Sequence, residues 1–334
     1  MHYCGIDLAS KSSNICVIDQ QGKVLRERVI ATEAAELNEA LAGFDDLTVI
    51  IEASPLAETA ARVVEDIGKK PVIIDARAAK NLMSSMKKTD RRDAKALAEI
   101  GRSGWYTEVH RKSAKARELR SILGARQTIL KTSKMIRSSI QGLLRSHGIK
   151  VGQVSEGLFA ERVLALCEEY APGLKASLAA MLETWEIAVK KAKALKKAVD
   201  EMGRDDAVSQ RLQSIPGIGP LISTAYQATI DDPHRFNRAE EVADYLGLAP
   251  RIYQSGEVER RGRITKEGDV LLRWHLVEGA HVLLTLGRDC ALKRWGQSLE
   301  ERKGPAKAKV AVARKLAILM WKLWKNEKTF IAFP

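Results

Sequence analysis

Residues 2–31, HYCGIDLASKSSNICVIDQQGKVLRERVIA, decide the fold of the first part of the chain. This stretch holds three mainly apolar runs, HYCGIDLA, NICVID and VLRERVIA, which short polar segments separate. Strand-like runs joined by turn residues at short intervals are typical of antiparallel strands. The sequence therefore predicts a meander of three antiparallel strands.

Alternating helical and strand patterns follow this meander. The helical stretch AAELNEALAGF leads to the apolar run TVIIE, and a helix from about Leu56 to Ile67 leads to the apolar run PVIID. The motif KTDRRDA then opens another helix. Three antiparallel strands followed by alternating helices and strands are typical of an α/β, ribonuclease-H-like mixed sheet.

Four acids begin or end these elements. Asp7 and Glu52 each close an apolar strand, and Asp90 and Asp93, three residues apart, share one helix face. Sites of α/β folds lie at strand ends, and enzymes that cut phosphodiesters commonly hold divalent cations with carboxylates. The acids therefore predict a site for Mg²⁺ or Mn²⁺. Alternatively, they only cap a helix and fill a turn. Asp75 also ends a strand, but without a nearby partner acid it is interpreted as a turn residue.

Composition narrows the class of protein. The chain holds 55 Lys and Arg against 42 Asp and Glu, a formal charge of +13. This charge favours a polyanionic partner, or it serves the solubility of the protein alone.

The chain lacks a charged-then-apolar leader and a run of about 18 apolar residues, so we expect a soluble cytoplasmic protein without a membrane partner. The four scattered cysteines predict reduced, buried thiols. The sequence also lacks the nucleotide motifs GxxxxGK[ST] and GxGxxG, which argues against ATP-driven and redox chemistry.

Heptad spacing marks residues 113–205, and no strand is expected beyond Trp105. Apolar residues recur every seven positions at Ile122, Ile129, Ile136 and Leu143. In a second helix they alternate in steps of four and three, at Leu174, Leu178, Met181, Trp185, Ala188, Ala192, Leu195, Val199 and Met202. This spacing predicts a coiled coil, within one chain or between chains, whose long seam favours an oligomer. A core helix of a bundle would show the same spacing.

The segment LQSIPGIGPLISTAY, residues 212–226, predicts two helices joined by a glycine turn. In such a helix-hairpin-helix, Gly217 and Gly219 would offer backbone N–H groups to a phosphate. A tight turn that binds nothing would use the same glycines. Residues 206–334 are otherwise mainly helical in pattern, and 303–325 predict a basic amphipathic helix that faces a polyanion or, as the alternative, a membrane surface.

A polar, turn-rich stretch, PRIYQSGEVERRGRITKEGD, covers residues 250–269. Its basic residues gather around Ser255, and they are Arg251, Arg260, Arg261, Arg263 and Lys266. A loop that binds phosphate would have this composition, and so would a solvated basic hairpin. Ser255 is therefore either a nucleophile or a turn residue.

Six motifs in this order, GIDLASK, IEAS, KTDRRDA, IPGIG, YLGLAP and YQSGEVERRGRITKEGD, resemble the DEDD-type insertion-sequence transposases, relatives of the Piv DNA invertases. The resemblance spans nearly the whole chain. It implies a RuvC-like domain over residues 1–112, a coiled-coil oligomerisation region over 113–205 and a transposase domain over 206–334. It also implies that Asp7, Glu52, Asp90 and Asp93 are the metal-binding acids and that Ser255 is the family's serine.

The resemblance further implies an activity. The serine would attack a DNA phosphate and form a transient phosphoserine link, while the acids hold Mg²⁺ at that phosphate. The partners would be donor and target double-stranded DNA, a structured non-coding guide RNA and further copies of the chain in a dimer or tetramer that acts at the nucleoid. Gln254 stands where the family pattern has a small hydroxyl residue, and Glu267 and Asp269 make the following turn more acidic.

Two other functions are compatible with the residues. In a hydrolytic nuclease of the junction-resolving type, the same four acids would activate water through two metal ions and Ser255 would be a turn residue. In a nucleic-acid-binding coiled-coil protein without catalysis, the acids would only cap and turn the chain. A covalent protein–DNA adduct distinguishes the serine mechanism from hydrolysis.

Overall fold

The computed structural model describes residues 1–75, 90–255 and 258–332. Within these ranges, a few side chains lie outside the described part, namely those of Asp90, Arg91, Gln254, Ser255, Val258, Glu259 and Arg261. The chain divides into two compact units, Met1–Lys112 and Ser113–Pro334. The finer division of the second unit at residue 205 stays a prediction. In the described ranges, no helix combines the length and the apolar character that a membrane crossing needs.

The first unit is a mixed sheet with helices. Its elements are β1 (His2–Asp7), β2 (Ser12–Ile18), β3 (Val24–Ala31), α1 (Ala34–Leu41), β4 (Leu47–Glu52), α2 (Ala57–Asp66), β5 (Lys70–Ile74) and α3 (Asp90–Ser103). The strands lie in the order β3-β2-β1-β4-β5. β1, β2 and β3 are antiparallel neighbours, whereas β4 is parallel to β1 and β5 is parallel to β4. The predicted meander and mixed sheet are therefore confirmed.

The central strands are apolar along their whole length because helices cover both faces of the sheet. Ile6 and Ile51 lie in the core that the sheet forms with α1 and α2. Ile50 belongs to the core on the α3 side, as do Cys16 and Ile18. The strand pattern of the sequence therefore marks burial on both faces.

Two glycines let α3 lie directly on the sheet. A Cβ at Gly5 would lie 2.0 Å from the carbonyl oxygen of Ala94, and a Cβ at Gly101 would lie 2.4 Å from Cγ1 of Ile50. Further along the helix, the carboxylate of Glu99 approaches Gly22, in the turn after β2. Helix α3 thus runs antiparallel to β1, and its first turn lies at the carboxyl end of that strand.

The second unit is mainly helical. Its elements are α4 (Ala114–Ser146), α5 (Phe159–Tyr170), α6 (Lys175–Arg204), α7 (Ala207–Gln213), α8 (Pro220–Ile230), α9 (Ala239–Tyr245), β6 (Pro250–Ser255), β7 (Val258–Ile264), α10 (Val270–Thr285), α11 (Ala291–Lys303) and α12 (Pro305–Lys325). The expectation that no strand follows Trp105 is wrong, because β6 and β7 form an antiparallel hairpin. The solvated basic hairpin is one of the two interpretations of residues 250–269, but with Ile252 and Tyr253 both exposed the segment shows no apolar alternation that would predict strands.

Helices α4 and α6 pack against each other along much of their lengths. Leu123 near the start of α4 shares a core with Val199 near the end of α6, and Ile140 shares another with Leu178. The pair is therefore antiparallel and forms within one chain, which answers a question that the heptad spacing left open. A supercoiled pair and an oligomer stay predictions.

The heptads predicted for α6 agree with its buried residues only in part. Leu178, Trp185, Ala192 and Val199 are buried and Met202 is exposed, while the other predicted positions, Leu174, Met181, Ala188 and Leu195, are partly buried. The buried row of α4 lies elsewhere. Ile122, Ile129, Ile136 and Leu143 are only partly buried, and the buried residues are Ala116, Leu119, Leu123, Ser133, Ile140 and Leu144.

Polar residues explain this difference in α4. The observed row runs in steps of three and four through Arg126, Ser133 and Arg137, which an apolar pattern cannot reveal. The guanidinium of Arg137 lies 4.3 Å from the centroid of the Phe159 ring and donates a hydrogen bond to the carbonyl oxygen of Val154 at 3.1 Å. The arginine stem and its planar head therefore fill a position where an apolar side chain is expected.

Substituting Gly5→Ala should destabilise the first unit by about 1–3 kcal/mol, because the new methyl would overlap the α3 backbone. Gly124→Ala adds the same methyl to α4, where no atom lies within 4 Å, and should stabilise the second unit by about 0.5–1 kcal/mol. Chemical unfolding followed by circular dichroism measures both. Equal stability of the Gly5→Ala variant and the native chain would contradict the close contact.

Candidate functional site

The two strand-end acids lie side by side at one edge of the sheet. In the parallel register Ile6 pairs with Ile51, so the next residues, Asp7 and Glu52, stand at the same level. Neighbouring strands lie about 4.8 Å apart. Because side chains alternate along a strand and Ile6 faces α1 and α2, both acids belong to the face that α3 covers.

Helix α3 brings the other predicted acids to this edge. Ala94 is buried against β1, and Asp93, the residue before it, is half-buried in the first turn of α3. Asp90 is the first residue of the helix. Its backbone is one turn from Asp93, while its side chain is outside the described part of the chain. The backbone thus gathers the elements of all four predicted acids at the carboxyl ends of β1 and β4.

A fifth acid, Asp75, reaches the same edge. Ile74 pairs with Glu52 in the parallel register of β4 and β5, and Asp75 follows it directly. Along the chain Asp75 has no neighbouring acid, so the sequence alone predicts a turn residue. Its neighbours come from another strand, and only the sheet order reveals them.

The acid edge has the oxygen ligands that Mg²⁺ prefers. Among the described side chains, no group of three or more His, Cys, Asp or Glu comes close enough to hold a metal ion. The agreement with a magnesium site therefore rests on the donor type and on the placement of the backbone. The side chain of Asp90, the fourth predicted ligand, does not enter this comparison.

Ser255 lies at the tip of the β6–β7 hairpin. It pairs with Val258, so Gly256 and Glu257, which lie outside the described residues, connect the two strands. Arg251, Arg260, Arg263 and Lys266 are exposed along the hairpin and after it, whereas the side chain of Arg261 is not among those described. The backbone therefore presents Ser255 at the end of a basic ribbon.

Two glycines flank the foot of this hairpin, the end where β6 begins and β7 ends. A Cβ at Gly247 would lie 2.1 Å from the carbonyl oxygen of Glu267, and a Cβ at Gly268 would lie 2.1 Å from that of Tyr245. Both glycines have positive φ angles, of 64° and 70°. The turns of the motifs YLGLAP and TKEGD therefore pack backbone against backbone, which no other residue type permits at this distance.

Arg273 of α10 fastens the same two turns. Its buried guanidinium donates hydrogen bonds to the carbonyl oxygen of Leu246, at 3.2 Å, and to that of Glu267. One charged group thus satisfies two backbone acceptors on opposite sides of the hairpin's foot. The sequence alone does not identify Arg273, because nothing in its helical context distinguishes it from a solvated arginine.

Asp269 begins α10 and attaches it to α4. Its carboxylate accepts a hydrogen bond from the backbone N–H of Leu272 at 2.9 Å and pairs with Arg120 at 2.8 Å. Burial alone would raise the pKa of Asp269, but these two interactions lower it below its ordinary value. Asp269, one of the two acids of this turn, is therefore the cap of a helix.

A buried polar cluster lies behind α10. His275 is buried, its Nε2 has no hydrogen-bond partner in the described ranges, and burial lowers its pKa to about 4. The charge of Arg126 lowers this pKa further, while Asp269 opposes the shift. Arg126 Nε and Asp200 Oδ1 are also buried without hydrogen bonds to other described residues. The sequence alone does not identify the cluster of His275, Arg126 and Asp200.

The glycine turn between α7 and α8 has two different glycines. Gly217 has a φ of 87°, and a Cβ there would lie 2.5 Å from the carbonyl oxygen of Gly279 in α10. Gly219 is the N-cap residue of α8, and a Cβ added there would meet no atom within 4 Å. Gly217 thus serves the packing of two elements, while the start of α8 near Gly219 is open. Phosphate binding at this turn stays a prediction.

Family models and relatives match most of this chain. Residues 4–149 match a model described as Transposase, DEDD_Tnp_IS110, and residues 209–294 match the Transposase IS116/IS110/IS902 family. The transposase for insertion sequence element IS1111A of Coxiella burnetii is 30% identical, over 98% of this chain and 90% of its own length. A probable family 20 transposase of Pseudomonas aeruginosa is 28% identical, over 98% and 97%.

Two further matches cover about a third of the chain. The pilin gene-inverting protein of Moraxella lacunata is 32% identical over 36% of this chain and 37% of its own length. A Thermus thermophilus RuvC structure aligns over 33% of this chain and all of that chain, at 16% identity and a TM-score of 0.28.

The pKa of His275 predicts how the stability of the second unit depends on pH. The unfolded histidine, with a pKa near 6.5, binds a proton before the folded one, whose pKa is about 4. The free energy of unfolding should therefore fall as the pH drops from about 6.5 towards 4, by up to about 1.4 kcal/mol per pH unit.

Replacing this residue, His275→Gln, should remove that dependence, and urea unfolding at several pH values measures it. His147→Gln, at the exposed end of α4, is the matched control and should keep the native pH profile. An unchanged profile in His275→Gln would show that the histidine is not buried in its neutral form.

Proposed function

Since this chain belongs to the IS116/IS110/IS902 family of transposases and is thus a DNA transposase or recombinase, we propose that Ser255 and four acids divide the chemistry of strand cleavage and joining. The observation that carries the proposal is the in-register placement of Asp7 and Glu52 on the face where α3 begins. Acids at one sheet edge would repel the phosphates of DNA unless a cation lies between them, and the protein's charge of +13 favours such a polyanion as its partner.

Asp7, Glu52, Asp90 and Asp93 would hold the cation, and Mg²⁺ or Mn²⁺ suits their oxygen ligands. When bound, the metal ion would stabilise negative charge on the phosphate and on the departing oxygen. Asp75 stands at the same edge, but Ile74 lies in the core on the α3 side, so by alternation Asp75 belongs to the opposite face of the sheet and is not part of this set. The four acids would therefore bind and position the metal ion, and none of them has to act as a nucleophile.

Ser255 would supply the nucleophile. Its Oγ would attack the phosphorus, and the Oγ–P bond would form as the bond from phosphorus to a deoxyribose oxygen breaks. The serine would lose its proton to solvent, and the departing oxygen would gain one. A hydroxyl of another strand would then attack the phosphoserine and release Ser255, so that each broken phosphoester is replaced and no external energy source is needed.

The hairpin supports this role in two ways. Exposed Arg251, Arg260 and Arg263 give the ribbon a positive charge that attracts DNA phosphates. The foot of the hairpin is fixed by Gly247, Gly268 and Arg273, which gives β6 and β7 a fixed base. Positioning of a nucleophile is a large part of its rate advantage, and a fixed base limits the loss of orientation.

The partners of the reaction extend the proposal. The phosphate backbone accounts for binding by a basic chain without specifying a sequence. A structured non-coding RNA that pairs with donor and target DNA would select the sites, and the start of α8 at Gly219 would bind a phosphate of one of these strands. A dimer or tetramer, joined by supercoiled helices and acting in the cytoplasm at the nucleoid, would hold both DNA partners together.

Ser255→Ala should abolish a covalent protein–DNA adduct. The assay combines purified protein, Mg²⁺, RNA transcribed from the DNA flanking the gene and DNA that spans the ends of the element, and a denaturing gel detects the adduct. Asp7→Asn should lower adduct formation at least about 100-fold, because removal of a metal ligand costs several kcal/mol of transition-state stabilisation. A chelator should abolish it as well.

Matched controls are Ser138→Ala, on the exposed face of α4, and Asp45→Asn, exposed in the first unit, and both should form the adduct at the native rate. Cleavage without an adduct that persists in Ser255→Ala but not in Asp7→Asn would replace the proposal with a hydrolytic nuclease. Native adduct formation in both Ser255→Ala and Asp7→Asn would contradict a catalytic role of Ser255 and of Asp7.

A further inference from the structure

A groove between α11 and α12 combines an aromatic ring, apolar side chains and cations. Its cavity has a volume of about 570 Å³, within the range of small-molecule sites. Leu292 and Trp295 of α11 line one side, and Ala311, Ile318 and Leu319 of α12 line the other. The groove therefore has an apolar floor large enough for a flat heterocyclic ring.

The rim of this groove is positively charged. Arg314, Lys315 and Lys322 line it from α12, and no acid lies among the described residues that line it. The ammonium of Lys315 lies 4.2 Å from the centroid of the Trp295 ring. The Nε of Arg314 is buried and has no hydrogen-bond partner in the part of the chain that the structure describes.

Helix α12 as a whole is also positively charged. Over Pro305–Lys325 the sequence has six Lys and Arg and no Asp or Glu. The apolar side of α12 is taken up by the core of the second unit, where Val312, Leu316 and Met320 are fully buried. Its basic side therefore lacks internal counter-charges on its own helix and is complementary to a polyanion.

We propose that this groove binds a single strand of DNA, with a base stacked on Trp295 and the adjoining phosphates held by Lys315, Lys322 and Arg314. Bases of a duplex are already stacked on each other, so a duplex could use only the cationic rim and would leave the aromatic floor empty. Stacking of a base on tryptophan is stronger than an exposed cation–π contact, so the base displaces the Lys315 ammonium, which moves to a phosphate.

The lining gives a strand of RNA no acceptor that would favour it over a strand of DNA. The polar groups of the lining, on Trp, Arg and Lys, are all donors, so the lining offers no side-chain acceptor for the proton of a 2′-hydroxyl. A transposase also exposes unpaired DNA ends between cleavage and joining. The presence of such ends rests on the proposed function. A groove that holds a free end would keep it from diffusing away before it is rejoined.

The test measures binding of fluorescent oligothymidine, and of a duplex of the same length, by anisotropy with the full chain in a chelator, so that no cleavage occurs. Trp295→Ala and Trp295→Leu should weaken single-strand binding about tenfold, while Trp295→Phe should retain most of it, because phenylalanine keeps an aromatic face. Duplex binding should change less than about twofold. Trp295→Leu preserves the apolar packing, and a thermal melt confirms that each variant is folded.

Matched controls separate the groove from general charge. Trp105→Ala removes an exposed tryptophan from the first unit and should leave both affinities unchanged. The double variant Lys315→Ala with Lys322→Ala should weaken single-strand binding more than Lys307→Ala with Lys309→Ala, which removes the same charge from α12 outside the groove lining.

Three results would overturn the proposal: native single-strand affinity in Trp295→Leu, equal weakening of single strands and duplex, or Trp295-dependent binding that prefers oligouridine to oligothymidine. The first excludes a stacking site, the second indicates a duplex-binding surface, and the third assigns the groove to RNA. Because binding is measured without metal, the result is independent of the adduct assay. A Trp295-dependent affinity in a chain that forms no adduct would refute the serine mechanism alone.

Discussion

The contact between α3 and β1 is the constraint on which the candidate active site depends. Gly5 and Gly101 remove the side chains that would keep helix and sheet at an ordinary distance, so Ala94 rests on the strand backbone. This contact orients the first turn of α3 towards the ends of β1 and β4. Without it, the strands would still bring Asp7 beside Glu52, but the acids of the helix would have no fixed place relative to them.

The second unit uses the same physical device for a different purpose. At the foot of the β6–β7 hairpin two turns meet through Gly247 and Gly268, and Arg273 satisfies carbonyl groups on both sides. A buried charge is expensive to desolvate, and it persists where several acceptors would otherwise be left without hydrogen bonds. The hairpin that carries Ser255 is therefore anchored by backbone packing and one buried cation, in addition to the contact of Ile264 with the apolar core of the second unit.

Charge is distributed so that attraction to DNA and chemistry are separate tasks. The net charge of +13 comes largely from exposed Lys and Arg, and α12 carries six of them without an acid. The acids of the sheet edge would repel the same phosphates that the basic surface attracts. In the proposed function, a cation bound between the acids and the DNA would reverse this local repulsion.

Much of the first unit follows from sequence alone, because its apolar runs and turns are local signals. The meander, the parallel strands and the positions of Asp7 and Glu52 at strand ends are of this kind. Asp75 and Arg273 are different, since their neighbours come from strands or turns that are distant along the chain.

The tertiary structure alone decided three further points. It placed polar residues in the buried row of α4, formed an exposed hairpin at Ser255 and made Asp269 a helix cap. Each depends on what packs against a residue, and hydrophobic periodicity records burial without recording the partner.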